Sequence, residues 1–323
     1  MATVFTFIGL LLVITFAAYL LCEGSEKMAE KWGANIVGSL LLALVTTLPE
    51  YAFVYWASVK DKYEMAVGSA IGSCTLLITL GYGLVILFST TKASRKPVKE
   101  IVLSKATKID ALYLLITGVL AFIFVKTGDE LTFVEGLILT AVLIGYVIQV
   151  FLHSAKNNDD SMKTGEVTPG EMAIALIQLV VGGAIVFLCS ERFVDSMMAL
   201  AGLMRVSPAV IAIVLGPFAS EMPEKLTAYM IVMKNGAHAE LAVCNFLGSK
   251  VNHNSLLLAV MPFVAHFKNH DAVTGIMSPM FMIMTGFTVV VSALIVRGRL
   301  QKWEGWMLVA AYITTMYIAV GMK

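Results

Sequence analysis

The chain has 323 residues, 59% of them hydrophobic and 14% charged, with a mean hydropathy of +0.85. Soluble domains carry about 25% charged residues, so the composition is that of a polytopic membrane protein and argues against an ordinary soluble enzyme or binding module. The formal net charge of +1 points to no polyanionic partner, and no basic cluster is interleaved with aromatics as nucleic-acid binding requires.

Val4 to Leu21 lacks a basic leader and a small-residue cleavage site and is long enough to cross a bilayer, so it reads as a first transmembrane helix and not a signal peptide. Further apolar runs lie at about 35–59, 65–90, 109–126, 132–153, 170–202, 207–233, 239–265, 272–296 and 303–321. The expected fold is an all-α polytopic membrane protein of about ten transmembrane helices. One long polar connection, residues 154–169 with Asn157-Asn-Asp-Asp-Ser161, has linker composition and separates a first half (1–153) from a second (170–323). Fourteen lysines and arginines fall in loops after odd-numbered spans and six on the other side, which places the linker in the cytoplasm of a cell (inner) membrane and both termini outside. Cys22, Cys74, Cys189 and Cys244 lack metal-knuckle spacing and read as buried thiols. Trp303 and Trp306 read as interfacial anchors.

The two halves repeat. Pro49-Glu50 and Lys60 match Pro223-Glu224 and Lys234 at identical spacing, and Glu64-Met-Ala-Val-Gly-Ser-Ala-Ile-Gly-Ser73 matches Glu240-Leu-Ala-Val-Cys-Asn-Phe-Leu-Gly-Ser249 at Glu, Ala-Val and Gly-Ser. The first copy covers about 37–83 and the second about 207–262. Five helices per half is odd, so the second copy is inserted upside down, with broken helices 2 and 7 meeting across a pseudo-twofold axis in the membrane plane.

Each break places a proline and a carboxylate within an apolar run: Leu44-Val-Thr-Thr-Leu-Pro-Glu50 and Phe218-Ala-Ser-Glu-Met-Pro-Glu224. A charge near the midplane costs about 2.5–3.5 kcal/mol on insertion scales, which marks a functional site. Proline removes a backbone donor and frees a carbonyl. Thr46 lies one turn before Glu50 and Thr47 three residues before; Ser220 and Glu221 hold the same positions before Glu224. With Ser73 and Ser249 these residues offer the oxygen shell that a hard cation such as Ca²⁺ takes. The bland alternative, polar groups satisfying one another in a kink, does not require a carboxylate on each side.

These residues resemble the repeats of the cation/calcium antiporter superfamily, which includes sodium/calcium and proton/calcium exchangers. Its repeats typically read Gly-Thr-Ser-x-Pro-Glu, then Gly-Asn-x-x-Gly-Ser and an Asn or Asp four residues later. Thr46-Thr-Leu-Pro-Glu50 and Gly68-Ser-Ala-Ile-Gly-Ser73 fit the first copy, with Val45 where glycine is usual and Ser69 for the asparagine; Ser220-Glu-Met-Pro-Glu224 and Asn245-Phe-Leu-Gly-Ser249 fit the second more loosely. Where the family has its later amide or carboxylate, this chain has Leu77 and His253, and Glu221 replaces a hydroxyl. Those departures put a standard set of sodium sites in doubt. They suit proton coupling, because desolvated carboxylates and an imidazole exchange protons near neutrality, and they admit a softer divalent such as Mn²⁺ or Zn²⁺.

The resemblance implies a secondary antiporter that moves Ca²⁺ or a related divalent against H⁺ or Na⁺. Glu50 and Glu224 would be the exchange pair; Thr46, Thr47, Ser73, Ser220, Glu221, Ser249 and His253 would complete the shell; helices 1 and 6 would slide to alternate access. No catalytic residue and no cofactor is expected, and the partners are inorganic cations and membrane lipid. His253 is equally readable as a packing histidine. Lys250 either neutralises a glutamate or snorkels, Lys225 is expected to face elsewhere, and Asp110, His266 and His270 to be solvated or interfacial. Glu23, Glu26, Glu191, Arg192 and Asp195 read as gates or interfacial pairs. Two rivals remain: an intramembrane enzyme, for which no His-Glu-x-x-His or nucleophile–base pair is present, and a non-transporting cation sensor or membrane partner derived from the same fold.

Overall fold

The computed structural model describes residues 2–32, 44–157 and 167–321. In chain order the helices are α1 (Ala2–Trp32), α2 (Leu48–Val59), α3 (Tyr63–Leu76, then a π-turn at Leu77–Gly81, then Tyr82–Thr90), α4 (Lys105–Gly128), α5 (Phe133–Asn157) and α6 (Pro169–Met204). The second half holds α7 (Pro208–Ser220), α8 (Met222–Lys234), α9 (Ala239–Asn252, a π-turn at His253–Leu257, then Leu258–Phe267), α10 (Pro279–Arg297) and α11 (Lys302–Gly321). Four three-residue strands sit in the loops: β1 (Glu100–Val102), β2 (Glu130–Thr132), β3 (Ala272–Thr274) and β4 (Arg299–Gln301). The fold is the expected all-helical polytopic one. Among the described residues six helices are long and apolar enough to span unaided: α1, α3, α4, α5, α6 and α10. The seventh span is split into α7 and α8, and the second breaks between the helical residues 44–46 and α2.

The breaks are single-residue turns and not unwound stretches. They fall at Thr47 (φ −82°, ψ −4°) and Glu221 (φ −98°, ψ −15°), each three residues before the glutamate of its Pro-Glu pair. Pro49 and Pro223 stand in the first turn of the following helix, where a missing N–H is tolerated. Their cost falls on the carbonyls of Val45 and Ala219, which lose the amide four residues on.

The π-turns were not expected. They open at Leu77 and His253, each four residues after its Gly-Ser pair, so the two repeats share this irregularity as well as the break. A π-turn inserts one residue into the helical ladder and rotates the helix beyond it.

α3 forms the centre: 83% of its apolar stretch is buried, against 17% for α6. It packs along α7, and the counterpart contact places α9 on α2. Gly72 explains how closely α3 and α7 approach, since a Cβ there would run into the backbone of Ile213; at Gly68 a Cβ would lie 2.7 Å from the Ala209 carbonyl oxygen.

α1 and α6, at 31 and 36 residues, exceed the roughly 20 needed to span and lie against each other. The first span was expected to end near residue 22, but its helix runs on to Trp32. Two contacts with α6 hold that polar end. Gln178 Nε2 donates to Glu23 Oε2 at 2.9 Å, and Gly24 seats against the Ala175 carbonyl. Phe5, Leu12, Phe16, Ile177, Val180 and Leu188 remain exposed on the two helices, as lipid-facing residues are.

The loops are tied in two antiparallel ribbons. β1 pairs with β4 (Ile101 opposite Leu300) and β2 with β3 (Leu131 opposite Val273), so each ribbon takes one strand from each half. Glu191 and Asp195 form interfacial pairs, both with Lys60 at the end of α2, at 3.3 and 2.8 Å. The Asp195 bond holds the Lys60 ammonium above the ordinary lysine range.

Gly72→Ala should lower the thermal stability of the detergent-solubilised protein by about 1–3 kcal/mol through overpacking. Gly145→Ala, where a Cβ meets nothing within 4 Å, should leave it unchanged or slightly raised. Equal melting shifts for the two would show that the α3–α7 approach is not tight.

Candidate metal centre

The break in the second repeat sets Glu221 at the N-cap of α8, and the break in the first sets Glu50 in the first turn of α2. The π-turn of α9 begins with His253. These three side chains converge: each brings a ligand atom within 4.8 Å of the other two, and all three are buried at 2–3% exposure. His253 Nδ1 stands 3.8 Å from Glu221 Oε1.

Among the described residues, neither Glu50 oxygen, nor Glu221 Oε1, nor His253 Nδ1, nor Ser73 Oγ makes a hydrogen bond of regular geometry. Buried polar atoms are otherwise almost always paired, so five such atoms gathered at one place describe a donor set aimed inward. Ser220 lies beside Glu50, with its own hydroxyl donating to the Gly216 carbonyl at 3.4 Å. Ser73 lies beside Glu221. Thr46, Thr47 and Ser249 are buried. Of the predicted shell, the structure therefore brings together Glu50, Glu221, His253, Ser73 and Ser220. The side chain of Glu224 lies outside the described residues, as does that of Glu26, and it is Glu221 that faces Glu50.

Two lysines of the second repeat, Lys225 and Lys250, are deep inside. Lys225 was expected to face elsewhere; it is 1% exposed and its ammonium pairs with Glu221 Oε2, four residues earlier on the same face of α8, over the ring of Phe246. The i,i+4 spacing of Glu and Lys was the available signal, hidden because Glu221 was read as part of a break. Lys250 does not snorkel. It is fully buried, donates to Asn254 Oδ1 at 2.5 Å within α9, and lies beside Cys74. Tyr51 OH donates to Asn252 Oδ1, a bond between the repeats that sequence reading missed.

Asp110, near the start of α4, is half-buried and hydrogen-bonded to Tyr146 of α5. Nearby, Glu240 Oε1 accepts from the Ser104 amide and the Thr107 hydroxyl, both at 2.6 Å, and so fastens α9 to the start of α4. His266 stacks on Phe133, and exposed His270 stands 3.6 Å from Asp61.

Two carboxylates and hydroxyls suit a hard cation, and an imidazole extends the choice toward transition metals. A charged site held between broken helices of two inverted repeats, within an otherwise apolar bundle, is the architecture of a secondary transporter. Residues 2–152 and 174–321 match the family described as sodium/calcium exchanger protein, and the chain belongs to that family, one of exchangers and not of enzymes. An uncharacterized membrane protein of Methanocaldococcus jannaschii is 24% identical over 299 residues, 90% of this chain and 89% of its own. The crystal structure of the H⁺/Ca²⁺ exchanger CAX has a TM-score of 0.85 at 16% identity, covering 99% of this chain and 85% of that one. The sodium-calcium exchanger NCX_Mj, soaked with Na⁺ and Sr²⁺, has a TM-score of 0.68 at 22% identity over 99% and 98%.

Glu221→Gln leaves the Lys225 charge buried and unpaired and should cost about 3–5 kcal/mol, most of it recovered by adding Lys225→Met. Glu50→Gln removes a buried charge that has no ion-pair partner among the described residues and should be neutral or stabilising. Thermal unfolding in detergent with chelator present reads both; equal losses for Glu50→Gln and Glu221→Gln would contradict the pairing.

Proposed function

We propose that the protein is a secondary active antiporter that exchanges Ca²⁺, or a related divalent cation, for H⁺ or Na⁺. The observation that carries this reading is the convergence of unpartnered, buried ligand atoms from both repeats at two matched helix breaks. Glu50 and Glu221, with His253, Ser73 and Ser220, form the described part of the cation shell. Thr46, Thr47, Ser249 and Glu224 complete it, Glu224 as the repeat counterpart of Glu50.

Two carboxylates this close hold one divalent ion, or protons or monovalent ions in its place, and that exclusion is the basis of exchange. The similar proteins of solved structure are by name a proton/calcium and a sodium/calcium exchanger, which supports calcium as cargo. The first half (1–153) and second half (170–323) form the two repeats around a cytoplasmic linker at 154–169, with both termini outside. α1 and α6 slide against the remaining bundle to open the site to either side; the length of their mutual contact supports this.

A second reading, a cation sensor or membrane partner without flux, is favoured by one observation, the two ammonium groups buried beside the carboxylates.

Proteoliposomes under an imposed pH gradient, and separately under a sodium gradient, with Ca²⁺, Mg²⁺ and Mn²⁺ competing, test the antiporter. Wild type should take up Ca²⁺ under at least one gradient, and Glu50→Gln should reduce the rate by about 10²-fold or more, a loss of roughly 2.7 kcal/mol at the site. Binding without flux under either gradient would select the sensor. Undiminished flux in Glu50→Gln would remove the site assignment.

A further inference from the structure

We propose that the Lys225 ammonium is a tethered cation that shares Glu221 with the transported ion and so sets the valence of the ion the site accepts. The inference rests on the antiporter reading and concerns the same site.

The geometry divides Glu221 between two neighbours. Its Oε2 holds Lys225, while its Oε1 turns toward His253 Nδ1 and Glu50 without a hydrogen bond. A Ca²⁺ ion ligated by Glu221 sits about 2.3–2.6 Å from the ligating oxygen. The two oxygens of one carboxylate are so close that the ammonium would then stand within a few ångströms of the ion, in a region with little water to screen them. Lys225 has an alternative resting place, since its Nζ already lies 5.7 Å from the centre of the Phe246 ring, and an aromatic face accepts a cation.

The charges take a simple form. Among the described side chains, Glu50 and Glu221 supply two negative charges. With Lys225 on Glu221, the site offers a ligand one negative charge fewer, which favours a monovalent ion. With Lys225 withdrawn, it offers one more, which favours a divalent. Lys250 also acts on Glu221 and His253, but its bond to Asn254 within α9 fixes it in both conditions.

The repeats sharpen the point. The residue after the Pro-Glu pair is Lys225 in the second copy and Tyr51 in the first, and Tyr51 is uncharged and spends its hydroxyl on Asn252. Only one arm of the site carries its own cation, so the two carboxylates are not equivalent competitors for the cargo.

The test is titration of the purified full-length protein with Ca²⁺ and, separately, Na⁺, for wild type, Lys225→Met and Lys225→Arg, together with charge moved per Ca²⁺ on a supported membrane. Lys225→Met should bind Ca²⁺ about tenfold tighter or more, the low end of what close charge pairs give. Its Na⁺ affinity should not rise in step, and the charge moved per Ca²⁺ should change. Lys225→Arg should keep the wild-type preference. Lys225→Gln is read in the same way if the methionine variant does not fold. A Ca²⁺-to-Na⁺ affinity ratio and charge movement unchanged in Lys225→Met, with wild-type flux intact, overturns the tethered cation alone. Absence of binding of either ion in every variant overturns the antiporter reading with it. Tight Ca²⁺ binding gained only in Lys225→Met supports the competition.

Discussion

An unpaired carboxylate has no natural place in an apolar bundle, and Glu50 is such a group: buried, with neither oxygen in a regular hydrogen bond. Much of the surrounding architecture makes sense as support for it. The break at Thr47 sets it in the first turn of α2, at the positive end of that helix's dipole. The close approach of α3 to α7, made possible by glycine, keeps bulk and solvent from the space between the repeats. Across the axis Glu221 is given a counter-charge, which lets a second carboxylate sit within ligand distance of the first.

The backbone obeys the pseudo-twofold closely, while the side chains do not. Breaks and π-turns fall at corresponding positions in both copies. At those positions Thr47 corresponds to Glu221, Tyr51 to Lys225, Cys74 to Lys250, and Leu77 to His253. In each case the acidic or basic residue belongs to the second copy. The first copy contributes Glu50 and Ser73 on an otherwise neutral surface. A symmetric frame thus carries an asymmetric charge pattern.

Much of this was legible in the sequence. Apolar run lengths outline the spans, and the paired Pro-Glu and Gly-Ser motifs locate the breaks and the helices that face them. Ser73, Ser220, Glu221 and His253 could be chosen because spacing and the family pattern both pointed there. The π-turns could not, because a one-residue insertion into a helical ladder leaves no mark in an apolar stretch such as Leu77–Gly81. Lys225 was misread for a related reason: its direction depends on which turn of α8 comes after the break, and a break shifts helical phase by an amount that composition does not encode. The Asp110 hydrogen bond could not be read either, because only the packing of α4 on α5 brings Tyr146 to it.

The small ribbons also have a mechanical meaning. Each takes one strand from either half, Glu100 and Arg299 reinforcing one at 3.3 Å and Asp129 accepting the Met277 amide beside the other at 2.8 Å. One joins the loops after the third and ninth spans and the other those after the fourth and eighth, so they clasp the bundle at opposite ends. A body fastened at top and bottom does not open like a clamshell. α1 and α6 are long helices that contribute no strand to either ribbon. The halves are thus joined by backbone pairing at both ribbons as well as by the continuity of the chain.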